Sequence, residues 1–91
     1  MISARVHKTR QEILLAACDS ELLEDEAMEL SRGFYHEETI DGNRLLELFE
    51  ECTTSNLLGS RTVEALLEKY PRYKEAVVEL KGSPHLLTFE L

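Results

Sequence analysis

Apolar Ile2, Ala4 and Val6 alternate with polar Ser3, Arg5 and His7 at the start of the chain, which is the period of a half-buried strand. Lys8 to Glu12 is polar and predicts a turn. Ile13-Leu14-Leu15-Ala16-Ala17-Cys18 is apolar on both faces, as a central strand is, and the two segments together predict a hairpin. Asp19-Ser20 is suited to cap a short helical turn through Leu23. Glu24-Asp25-Glu26 reads as a solvated face, and Ala27 to Leu30 as a third, short strand with Met28 and Leu30 pointing inward. Gly33 breaks that strand before Phe34-Tyr35.

The period then changes. Asp41 is an N-cap, with Ile40 and Leu45 at staple positions around it. Leu45, Leu48, Phe49 and Cys52 mark one stripe at helical spacing, widened by Leu46. Thr53 to Asn56 weakens the helix, because β-branched and short polar residues compete for backbone hydrogen bonds. A second stripe, Val63, Leu66, Leu67 and Tyr70, follows Gly59-Ser60 and is stopped by Pro71. Two antiparallel helices joined by a short polar break, or one kinked helix, fit this pattern. Glu75 to Leu80 predicts a strand, Gly82-Ser83-Pro84 a turn, and Leu86 to Leu91 a closing strand. The expected order is strand-strand-strand-helix-helix-strand-strand. It implies a two-layer α+β fold, a mostly antiparallel sheet with a helix pair packed on one face.

Composition narrows this picture. Ninety-one residues make one domain, 1–91, and a hydrophobic fraction of 43% with 31% charged residues is globular. The longest apolar run, Ile13 to Cys18, falls far short of the ~18 residues that cross a bilayer. The alternating amino terminus is not a signal peptide, so the cytoplasm is the expected compartment and no membrane partner is expected. Cys18 and Cys52 fit no paired spacing and are expected to be buried thiols. A net charge of −8 argues against simple phosphate-backbone binding. A salty cytoplasm would screen that charge, so acidity can report the host rather than the partner.

Several segments in order resemble a known family. They are Ala16-Ala17-Cys18-Asp19 with Glu21-Leu22-Leu23, then Gly33-Phe34-Tyr35, then Ser55-Asn56-Leu57-Leu58-Gly59 with Val63, then Gly82-Ser83-Pro84-His85. The chain resembles the archaeal family of uncharacterised proteins named domain of unknown function 424, over nearly its whole length. It departs from the family in a shortened stretch between the Cys-Asp and Phe-Tyr segments, and in carrying His36 where a glycine is expected after Tyr35. The resemblance implies a compact archaeal α+β protein without an assigned activity, in a translation-linked setting.

The candidate chemistry lies in the two glycine-punctuated polar segments. Gly59-Ser60-Arg61 at a helix start can hold an anion with free amides, or Ser60 simply caps the helix and Gly59 makes a turn. Asn56 serves a ligand or the bend equally well. His85 is suited to acid/base work or partner contact, although a histidine after proline more often pins a turn or faces solvent. Phe34-Tyr35 offers rings that can stack a base, but taken as strand neighbours they point to opposite faces, so at least one belongs to the core. No metal set, cofactor fingerprint or nucleophile elbow is expected.

Three functions follow. The first is a non-enzymatic binding module in translation, ribosome or RNA biology, using Asn56, Gly59, Ser60, Arg61 and His85. A local basic patch of Arg44, Arg61, Arg72 and Lys74 would mark it. The second is a protein-interaction adaptor with an exposed sheet edge, best placed at the carboxyl-terminal strand, for a protein partner or a homodimer. The third is a small enzyme on an anionic metabolite, with His85 as acid/base.

Overall fold

The computed structural model describes residues 1–90. One sheet of six strands runs through it in the order β3-β1-β2-β4-β6-β5. The strands are β1 (Ile2–Lys8), β2 (Ile13–Asp19), β3 (Glu38–Ile40), β4 (Thr54–Leu58), β5 (Val78–Leu80) and β6 (Ser83–Phe89). Every pairing is antiparallel except β2 with β4. The helices are α1 (Arg32–Tyr35), α2 (Gly42–Glu50) and α3 (Ser60–Lys69). The α+β class and the mostly antiparallel sheet are those the pattern predicts.

The hairpin of β1 and β2 forms as expected, from Ile2 opposite Asp19 to Lys8 opposite Ile13. Ile2, Ala4, Leu15 and Ala17 project to one face, where Leu45, Leu48, Val63 and Leu66 of α2 and α3 close the main core. Ala16, Cys18 and Leu58 project to the other face and pack with Met28 and Tyr35 in a second, smaller cluster. Asp41 accepts from the Arg44 amide at 2.8 Å, so α2 starts where its N-cap signal places it.

Several local expectations are corrected. Thr54–Leu58 is no helix break but β4, set centrally between β2 and β6, so a strand separates the two helices. Ser55 and Asn56 find side-chain partners on β6. Ser55 lies opposite Thr88, and their hydroxyls meet at 2.6 Å in the buried core. Ala27 to Leu30 is not a strand. Glu26–Met28 is a 3-10 turn capped by Asp25 and ended by Glu29 at φ +55°, and the third strand is Glu38–Ile40 instead. Phe34 and Tyr35 lie on α1, capped by Ser31, rather than on a strand.

Only Val78–Leu80 of the predicted Glu75–Leu80 strand is extended. Pro71 opens a 3-10 segment through Ala76, which lets Tyr73 and Val77 pack against the main core. The turn between β5 and β6 is Lys81-Gly82 rather than Gly82-Ser83-Pro84, and Ser83 and Pro84 belong to the closing strand. Lys81 and Gly82 both have positive φ, as a two-residue hairpin turn requires, and β6 begins at Ser83. The last residue of the predicted closing strand, Leu91, lies outside the described residues.

Candidate functional site

The two glycine-punctuated segments do meet. The Gly59 amide donates to the Pro84 carbonyl at 2.8 Å, and Leu58 of β4 lies opposite His85 of β6. The five residues singled out in the sequence nevertheless divide between the two faces of the sheet. Gly59, Ser60 and Arg61 open α3 on the helix-covered face. Asn56 and His85 lie on the opposite face, with Leu58 of the smaller cluster between them.

The start of α3 already holds an anion, and it is the protein's own. Asp19, at the end of β2, accepts from the amides of Arg61 at 3.1 Å and Thr62 at 2.8 Å, and from the Thr62 hydroxyl at 2.8 Å. A carboxylate there satisfies amides that the first helical turn leaves unpaired and meets the positive end of the helix dipole. Gly59 rather than Ser60 is the N-cap residue, with no cap from its own side chain, because the cap comes from across the sheet. The Arg61 guanidinium pairs with Glu21 at 3.2 Å. The anion cradle expected at Gly59-Ser60-Arg61 is therefore filled, and the enzyme arrangement that needed it beside His85 does not assemble.

The other face carries a hydrogen-bonded trio. The Asn56 side-chain oxygen accepts from the Tyr35 hydroxyl at 3.0 Å and from His85 Nε2 at 2.9 Å. An amide oxygen only accepts, so His85 is protonated at Nε2 and its Nδ1 carries a free lone pair. Neither Nδ1 nor the Asn56 amide nitrogen has a hydrogen-bond partner among the described residues. The single buried orphan side-chain atom found there is Thr54 Oγ1, so both nitrogens reach solvent. The trio thus offers an outside group one acceptor and two donors on a rigid strand pair. Tyr35, which the sequence offered only as core or base-stacking residue, anchors it from α1.

Burial lowers the His85 pKa and raises that of Tyr35, so at neutral pH the trio is uncharged. Burial also pushes the Cys18 thiol up to about 12 and the Cys52 thiol up to about 11, which keeps both protonated. A histidine whose folded-state pKa lies below its unfolded value binds its proton more readily after unfolding. Its effect on stability is therefore absent above about pH 6.5 and destabilising as pH falls below it. The expected result is a midpoint of urea unfolding that drops between pH 7.5 and 5.5 by more in the wild-type chain than in His85→Gln. Equal drops in the two proteins would remove His85 from this account.

Around the trio the sheet is open. Val78 lies opposite His85, and Leu87 and Phe89 follow at alternate positions on the same face. They are 60%, 45% and 73% exposed, whereas Leu86 and Thr88 between them are buried on the helix side. The alternation along Leu86–Phe89 carried this signal, but the sequence could not say which set faced the helices. Three of the four residues of the expected basic patch have partners of their own. Arg44 pairs with Glu47, Arg61 with Glu21, and Arg72 stands over the Tyr70 and Tyr73 rings.

The family model described as "Protein of unknown function (DUF424)" matches residues 7–91. The chain belongs to this family. The fold agrees with a crystal structure of an uncharacterized conserved protein from Methanopyrus kandleri. The two superpose with a TM-score of 0.74 at 19% identity, covering 99% of this DUF424 chain and 91% of the other. At that identity the likeness shows a shared fold. No curated protein matches the chain. No helix among the described residues is long and apolar enough to cross a membrane.

Proposed function

We propose that this DUF424 chain is a non-enzymatic binding module whose partner is a protein held against the open face of β4, β6 and β5. The observation that carries this reading is the cluster of Val78, Leu87 and Phe89, three large apolar side chains exposed on one sheet face beside the Asn56–His85 pair. Large apolar groups gathered around a few fixed polar groups are the composition of a recognition surface. The trio supplies orientation and the apolar side chains supply burial. Arg44 and Arg61, each committed to a carboxylate, favour a protein contact over a phosphate backbone. The setting we assign is the cytoplasm and the translation apparatus, as the family resemblance implies, with a protein component as the contact.

The test is sedimentation of the tagged chain in host lysate, at the salt of the host cytoplasm, through a gradient that separates ribosomal subunits. The wild-type chain should travel with a subunit peak. The double variant Val78→Lys/Phe89→Lys should stay at the top, because both positions are exposed and charge there spoils apolar contact without disturbing the core. Arg61→Ala should travel with the wild type. A wild-type chain that stays at the top withdraws the translation setting, and a double variant that still travels with the peak withdraws the face.

A further inference from the structure

The outer edge of β6 is only half covered. β5 pairs with it at Val78–His85, Glu79–Pro84 and Leu80–Ser83, and there β5 ends. Toward the amino terminus only Val77 follows before Pro71–Ala76, which are wound into the 3-10 segment and cannot continue the ladder. The hydrogen bonds that flank the β4–β6 pair fix which groups this exposes. Glu90 N–H donates to the Thr53 carbonyl and Gly59 N–H to the Pro84 carbonyl, so Leu86 and Thr88 turn their backbone groups toward β4. Leu87 and Phe89 turn theirs outward, to the side β5 has left. No described residue makes a hydrogen bond to the backbone N–H or C=O of either. Four backbone groups are left facing outward at the two residues whose side chains are also exposed.

We propose that an extended, lysine- or arginine-bearing segment of a partner protein adds as a strand to β6 at Leu87 and Phe89, continuing the edge that β5 leaves unfinished. The proposal rests on the open-face reading above and names the chemistry of its partner. Unpaired strand groups are a template for another extended backbone, and an incoming strand would satisfy all four while covering Leu87 and Phe89. Charge selects its composition. A second copy would bring together two chains of net charge −8, whereas a basic segment is attracted by that charge.

A cleft of about 240 Å³ begins at the same strand end, lined by Phe49, Tyr70, Tyr73, Thr88, Phe89 and Glu90 among others. It is suited to receive one long side chain of the added strand, with aromatic walls against its stem and the Glu90 carboxylate near its cationic end. Arg72 also lines the cleft, but its guanidinium is held 4.8 Å from the Tyr73 ring centre and 5.3 Å from that of Tyr70.

Amide hydrogen exchange on the full chain tests this. The probe is a synthetic peptide of alternating valine and threonine flanked by lysines. Its controls are a glutamate-flanked version and one N-methylated along the edge that would donate. The lysine-flanked peptide should slow exchange at Leu87 and Phe89 by about tenfold, with little slowing from either control. Leu87→Pro removes an outward N–H while sparing the groups that bond to β4, and should weaken the peptide by roughly tenfold. Leu87→Thr keeps the N–H and should bind nearly as the wild type does. Should the proline variant not fold, the N-methylated peptide makes the same comparison on the wild-type chain.

Unchanged exchange at Leu87 and Phe89 overturns strand addition. If resonances of Asn56, His85 and Val78 still shift, the open-face reading survives without it; if nothing shifts, both fall. Slowed exchange at these amides without peptide, rising with protein concentration, makes the occupant a second copy and overturns the basic partner.

Discussion

Gly59→Ala should destabilise the chain by roughly 3 kcal/mol or more, enough to lower its thermal midpoint by more than ~10 °C. Two independent causes act at this position. The backbone sits at φ +107° and ψ 152°, a region that side-chain-bearing residues avoid. A Cβ built there would also stand 2.4 Å from the Asp19 carboxyl carbon and 2.7 Å from both its oxygens. Relief would have to come from moving the carboxylate, and that carboxylate holds the first turn of α3. Urea unfolding followed by far-ultraviolet circular dichroism measures the loss. A variant with the wild-type midpoint would show that the joint between β4 and α3 is not built as described.

Asp19→Ala should cost about 2–4 kcal/mol by the same measurement. It removes the acceptor for two backbone amides and for the Thr62 hydroxyl, which is fully buried and would be left without a partner. Asp19→Asn keeps one acceptor oxygen and should lose about half as much. The two sites touch, so their effects should not add. With the carboxylate gone, an alanine methyl at position 59 no longer meets it, and only the backbone strain remains. The double variant Asp19→Ala/Gly59→Ala should therefore be more stable than the sum of the single losses implies, by roughly 1 kcal/mol. Additive losses would mean that the strained turn and the borrowed cap are separate features.

The first of these expectations concerns a residue that the sequence placed in a ligand site. A glycine and a serine before a helical stripe look the same whether the amides behind them await a substrate or already hold a carboxylate. The deciding residue, Asp19, lies at the end of another strand and was legible only as a local cap for the turn that follows it. Cross-sheet capping of this kind has no sequence period, because the partners are brought together by strand order alone. Tyr35 was hidden for a similar reason, since its hydroxyl reaches Asn56 only after α1 folds back over the sheet.

Local pattern carried further where local forces decide. The hairpin of β1 and β2 follows from alternation followed by a doubly apolar run. The start of α2 follows from Asp41 and its staple residues. Whether the Asn56 and His85 segments meet was not legible locally; the β4–β6 pairing brings them together. The third strand and the Thr54–Leu58 strand were missed because each was judged by its own residues. Short polar stretches form strands when neighbouring strands supply the hydrogen bonds, and that supply is a property of the whole sheet.

The sequence by itself determined the α+β class, the amphipathic stripes of α2 and α3, the doubly buried second strand and the acidic surface. These follow from side-chain period and backbone chemistry within a few residues. Tertiary structure alone decided that β4 runs centrally and parallel to β2, that Asp19 occupies the start of α3, and that Asn56 and His85 lie apart from Arg61. It also decided that β5 stops short and leaves Leu87 and Phe89 facing outward. Each of these depends on which strand lies beside which, and that order is fixed by burying both sheet faces at once, a condition no single segment contains.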